Sequence, residues 1–201
     1  LYIHQYIQWH GNTIAHNGAL LYHTDEQDPH EVALNIYKQT GISYPKFFKM
    51  DLLSRVAFLA SEMVIPETIT GSKDHIATII STTSGCLDVD KKFDESRQTH
   101  ASPALFVYTL PNIMLGEICI RNGFKGEQMC TIAEDADADW FNFYVGDLLQ
   151  NRGTEACLCG YVEATTNKLN ATLLWVSKVP STLLLNVSNL KQIFNSGILN
   201  S

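Results

Sequence analysis

Five cysteines, seven histidines and an alternating carboxylate run at residues 134–139 are the side chains of this 201-residue sequence most able to do chemistry. The run, Glu134-Asp135-Ala136-Asp137-Ala138-Asp139, follows an expected strand at residues 128–132. A sharp turn and a helix over residues 133–139 are expected next, then further helix over 140–150. A strand-to-helix turn presents one side chain at a helix N-terminus, where a nucleophile or an anion can sit. Carboxylates there also have a purely structural role, complementing the helix dipole and capping free amides for about 0.3–1 kcal/mol each. A calcium loop counted from Asp135 would need glycine at its sixth position and glutamate at its twelfth, but Trp140 and Gly146 stand there. No metal site is expected in this run.

The cysteines read as core. Cys130 lies in the strand before Asp135 and is expected to be a small buried hydrophobe, as are Cys86 and Cys119. Cys157 and Cys159 alternate on one face of an expected strand, but with no second pair they do not make a zinc site. Five histidines, His4, His10, His16, His23 and His30, fall in the first thirty residues, and none has the i, i+4 spacing of a helical metal pair. They are expected to be solvated, and no cofactor is expected.

The elements that would carry these groups follow from periodicity and punctuation. Residues 2–9 read as a strand, and the Gly-, Asn- and His-rich stretch after them as a loop through residue 28. Residues 31–39 are a short helix ended by Thr40-Gly41. Residues 51–64 form a stronger one, with Asp51 as cap and Leu52, Val56, Leu59, Ala60 and Met63 in one stripe. The β-branched run at 76–81 suits a strand buried on both faces. Ser102-Pro103 opens a helix, since proline at the first position gives up only an amide that has no partner. Pro111 starts a second, capped at or near Thr109 and stopped by Gly123. Strands at 156–163 and 169–177 and a helix at 189–194 complete an alternating α/β pattern with no internal repeat.

The pattern Ser102-Pro103, Phe106, Leu110-Pro111-Asn112, Gly116-Glu117-Ile118, Gly123 and Lys125-Gly126, then a strand and a turn, resembles the N-terminal half of β-ketoacyl-acyl-carrier-protein synthases, of the thiolase-like superfamily. Asp51-Leu52-Leu53-Ser54-Arg55 is similar to a helix start in the same family, and the resemblance covers residues 4–178. Within the family the sequence resembles the short ketosynthase or chain-length-factor-like subunits of aryl-polyene and flexirubin-type clusters. The resemblance implies one domain over residues 1–201, an α/β thiolase-like half-fold. It implies a mixed, mostly parallel five-stranded sheet flanked by helices. In the family a cysteine in a Thr-Ala-Cys-Ala-like turn carries the acyl chain. Counted from Lys125-Gly126, Asp135 takes that position. The histidines that assist decarboxylation come from a second half, and this sequence stops where that half would begin.

No catalytic residue is therefore expected. Phe106, Tyr108, Met114, Phe124, Met129, Cys130 and Asp135 become candidates for an acyl pocket or a subunit contact, with ordinary packing as the plain alternative. The implied function is that of a non-catalytic subunit pairing with an active ketosynthase as a heterodimer, or with itself as a homodimer, and meeting an acyl carrier protein. A half-synthase completed by another chain and a stand-alone acyl- or metabolite-binding module remain open. A net charge of −7 speaks against nucleic acid or an anionic membrane as main partner. No apolar run reaches the roughly 18 residues of a membrane span, and no charged-then-apolar leader opens the sequence. An odd cysteine count in no regular framework points to reduced thiols in the cytoplasm.

Overall fold

The computed structural model describes residues 1–195. Its strands are β1 (Tyr2–His10), β2 (Thr13–His16), β3 (Ala19–His23), β4 (Ile76–Thr82), β5 (Gln128–Ile132), β6 (Ala156–Thr165), β7 (Lys168–Ser177) and β8 (Leu183–Leu184). They form one sheet in the order β3-β2-β1-β7-β6-β4-β5, with β8 added beside β1. The five expected strands form a contiguous part of it, but the sheet has eight strands and is not mostly parallel, because short hairpin connections pair β1–β2, β2–β3 and β6–β7 antiparallel. In it β4 runs parallel to β5 and β6, while β7 is antiparallel to both β6 and β1. All seven residues of β4 are buried, because helices cover both faces of the sheet and leave no solvent side for alternation.

Three short strands, β2, β3 and β8, extend that part on the side of β1. The loop expected before residue 28 is instead a hairpin, β2–β3, laid against β1. Asn17 (φ 51) and Gly18 (φ 81) form its turn, and both left-handed conformations match the Asn-Gly preference of tight hairpins.

The helices are α1 (Pro29–Thr40), α2 (Leu52–Val64), α3 (Leu87–Arg97), α4 (Pro103–Val107), α5 (Ile113–Asn122), α6 (Ala138–Asn151) and α7 (Val187–Asn195). Asp28, Asp51, Ser102 and Asp137 each accept a backbone N–H in the first turn of the helix that follows. Two expectations need correction. Thr109 is no cap: its hydroxyl donates to Phe106 O at 2.7 Å, and α5 starts after Asn112 without a side-chain cap. Residues 133–137 are turn rather than helix, because the Asp137 carboxylate takes Trp140 N at 3.0 Å and fixes the helix start at Ala138. The unexpected α3 is highly charged, with only Val89 buried and no side-chain cap.

Two apolar clusters make three layers. Trp9, Phe58, Leu158 and Leu173 pack with α1, α2 and α5 on one face. Ile79, Phe141, Val145 and Leu174 pack with α6 and α7 on the other. Each such fully buried large side chain contributes about 1.5–3 kcal/mol relative to exposure. Gly126 lies close against the start of β4: a Cβ there would collide with the Ile76 carbonyl oxygen, which explains glycine after Lys125.

Candidate functional site

The turn at residues 133–137 sits at the C-terminal tip of β5, beside the tip of β4, and two side chains fasten it. The Thr83 hydroxyl lies 2.8 Å from Ala133 O, 3.0 Å from Glu134 O and 2.7 Å from the Tyr161 hydroxyl. Beneath it, one oxygen of Glu163 accepts from Thr82 Oγ1 at 3.1 Å, Thr83 N at 2.9 Å and Ser84 N at 3.0 Å. Burial would raise the Glu163 pKa, but these donors outweigh it and hold the carboxyl below its ordinary value. Neither residue was singled out in the sequence. The signal was available, because a carboxylate inside the apolar strand CLCGYVEAT must find partners.

Asp135 projects from this elbow into solvent and makes no hydrogen bond or ion pair among the described residues. Its charge still reaches Tyr161, whose pKa is raised first by burial and then by Glu163 and Asp135. An exposed carboxylate cannot hold an acyl group as a stable thioester, and no thiol shares the elbow. All five cysteines are unpaired. Burial pushes Cys130 up to about 11. It also raises Cys86, where Asp51 and Asp90 add to the effect. Cys157 is raised by burial and by its neighbour Cys159. None of these offers a thiolate near neutral pH.

The N-terminal histidines are spread over the hairpin and its flanks. His4 pairs with Ser177 Oγ at 2.9 Å, and His16 meets Gln5 at 3.3 Å. Among the described residues no three His, Cys, Asp or Glu side chains gather as metal ligands.

The other candidates scatter around the elbow. Tyr108, at the end of α4, lines a cavity of about 610 Å³ together with Asp51, Cys86 and Val89. Its hydroxyl donates to Glu117 Oε1 at 3.3 Å, and Glu117 is held by Lys46 Nζ at 2.8 Å. Burial, then the Glu117 charge, pushes Tyr108 up to about 12. Phe106 is exposed, with its ring 5.5 Å from that of Phe93. Met114 and Phe124 lie in the core, Phe124 with its ring 5.9 Å from Trp175. Met129 packs toward α6 and Cys130 toward the opposite layer, as neighbours on a strand must. Asp135 does not line the cavity, so elbow and cavity are separate features.

Strand β5 is the margin of the sheet. The bonds Thr78 N→Glu127 O and Ala133 N→Thr82 O set the phase of its ladder with β4. The N–H and C=O groups of Gln128, Cys130 and Ile132 therefore point away from β4. Ile132 is 65% exposed, and it flanks Gly85 together with Pro111, next to the exposed Leu110.

No protein-family model matches the sequence, and no curated protein matches it. Solved structures do. The ishigamide ketosynthase/chain length factor superposes with TM-score 0.61 at 14% identity, over 89% of this chain and 62% of that one. A type II polyketide acyl-carrier protein in complex with its ketosynthase gives 0.58 at 10% identity, over 88% and 62%. A ketosynthase in complex with its chain length factor from Xenorhabdus doucetiae gives 0.57 at 13%, over 88% and 79%. The chain thus spans less than two thirds of the first two matched chains, and its fold is the α/β thiolase-like fold of ketosynthases and chain length factors.

Proposed function

We propose that this ketosynthase-fold chain is a non-catalytic subunit that pairs with an active ketosynthase along β5 and helps shape the acyl site beside the elbow. The observation that carries the reading is the open margin of β5 next to an elbow bearing a carboxylate. A strand with unpaired N–H and C=O groups is a template for a second strand. The exposed Ile132 and Leu110 alongside it supply apolar area for a partner to bury. Asp135 stands where the family's resemblance calls for the nucleophile, and the raised thiol pKa values argue against a substitute such as Cys130.

Two of the structural relatives are named as complexes, one of a ketosynthase with its chain length factor and one of a ketosynthase with its carrier protein. We carry both partner classes to this chain, with a second copy of itself as the alternative mate. We read it as one domain working in the cytoplasm, where five unpaired thiols would stay reduced. No helix among the described residues is long and apolar enough to cross a membrane.

Co-expression with a ketosynthase and carrier protein from the same genome, followed by size exclusion and intact-mass analysis, tests the reading. The expected result is co-elution with the ketosynthase and no condensation of acyl and malonyl carrier protein by this chain alone. Turnover by the isolated chain, or an acyl group trapped on one of its cysteines, would overturn it.

A further inference from the structure

We propose that Asn17-Gly18 is a self-modification site, where Gly18 N attacks Asn17 Cγ, ammonia leaves, and the altered turn loses part of its hold on β1. The sequence contains two Asn-Gly pairs, Asn17-Gly18 and Asn122-Gly123, so the same chemical unit stands in two surroundings. In the first, the attacking amide is free. Asn17 and Gly18 are exposed, and Gly18 N donates to no acceptor among the described residues. Glycine also brings no Cβ to crowd the approach to Cγ. Asn17 Oδ1 accepts Tyr6 N at 2.9 Å, and a donor on that oxygen makes Cγ the better electrophile. In the second pair both reacting groups are tied to α5. Gly123 N donates to Cys119 O at 2.8 Å, and Asn122 Nδ2 donates to Ile118 O at 3.0 Å.

The step closes a cyclic imide, and adjacency along the chain makes it intramolecular. The bond from Gly18 N to Asn17 Cγ forms, the Cγ–Nδ2 bond breaks, and the Gly18 amide proton leaves with ammonia. Water then opens the ring. Addition at Cγ leaves aspartate at 17, and addition at the backbone carbonyl leaves isoaspartate, whose chain runs through Cβ and is longer by a methylene. Water is the only co-reactant. The turn holds β1 through Asn17 N to Tyr6 O and Tyr6 N to Asn17 Oδ1, each at 2.9 Å. In isoaspartate that side-chain carbonyl becomes backbone, so the acceptor of Tyr6 N moves away. Strand β1 keeps its ladder with β7, and β3 is the margin opposite β5. The change is therefore local, and it does not depend on the pairing proposed for β5.

Ageing the native chain in mildly alkaline buffer, with peptide mass spectrometry that separates aspartate from isoaspartate, tests the proposal. Conversion is expected at Asn17 about ten-fold faster than at Asn122, where a helix bond must open first. In urea the two sites should convert at similar rates. Hydroxylamine, which traps the imide, should cut the native chain after Asn17. Amide exchange of Tyr6 N–H should be about ten-fold faster in the isoaspartyl fraction than in fresh chain, the worth of one hydrogen bond. Asn17→Asp keeps an acceptor in place and should leave Tyr6 protected. Equal native rates at the two sites, or no native conversion at Asn17, overturn the site. Conversion without hydroxylamine cleavage overturns Gly18 N as the attacking atom. Unchanged Tyr6 exchange in the isoaspartyl fraction, or Asn17→Asp exchanging as fast as that fraction, overturns the loss of hold through the lengthened backbone.

Discussion

Glu163 concentrates three donors on one carboxylate oxygen, and its lowered pKa fixes the sign of its pH dependence. A group whose folded-state pKa is depressed stabilises the fold above its unfolded-state pKa, and that stabilisation is lost as pH falls through the folded value. Glu163→Gln keeps an acceptor of the same shape but removes the charge. The variant is expected to lose about 1–3 kcal/mol at pH 7, since hydrogen bonds to charged groups are the strong ones. Urea unfolding from pH 7 down to pH 3 should show the gap between parent and variant narrowing with acid. A gap that is constant across this range would mean the charge is not what clamps the strand tips.

Among the described strands β5 pairs only with β4, and its outward groups invite a test that leaves that ladder intact. Ile132→Asp places a charge on an already exposed side chain, so the isolated chain should unfold at nearly the parent temperature. Its co-elution with a ketosynthase should fall at least ten-fold, because a desolvated, unpaired carboxylate is costly in an interface. Retained co-elution would move the contact away from β5. The sequence already announced this strand, its neighbours and most helix starts, since caps such as Asp51 and Ser102 are local signals. It did not announce the β2–β3 hairpin, because histidines and asparagines hid the Asn17-Gly18 turn among polar residues. Nor did it announce α3, whose charges leave almost no stripe to read. The elbow falls where the sequence puts it, but the helix after it is expected about one turn too early, because the carboxylate run offers several competing caps and only the folded backbone selects Asp137.

Across the whole molecule, the five thiols report on the two packed layers together. Cys86 and Cys119 lie in one cluster with Cys130 against it, and Cys157 and Cys159 lie in the other. Iodoacetamide at pH 8 should therefore label the native chain slowly at every cysteine and all five rapidly in urea. Mass spectrometry reads the count, and fast labelling of Cys157 without Cys86 would mean that the layers open separately. The cavity and the ion pair Lys46–Glu117 escaped the sequence for the same reason as the clamp: they join residues far apart along the chain, which only packing brings together. That clamp has one more consequence. The loop at 133–137 is secured through the backbone of Ala133 and Glu134, so the side chain at 135 bears no weight in folding. Whatever residue stands at that place, the scaffold beneath it stays just as firm.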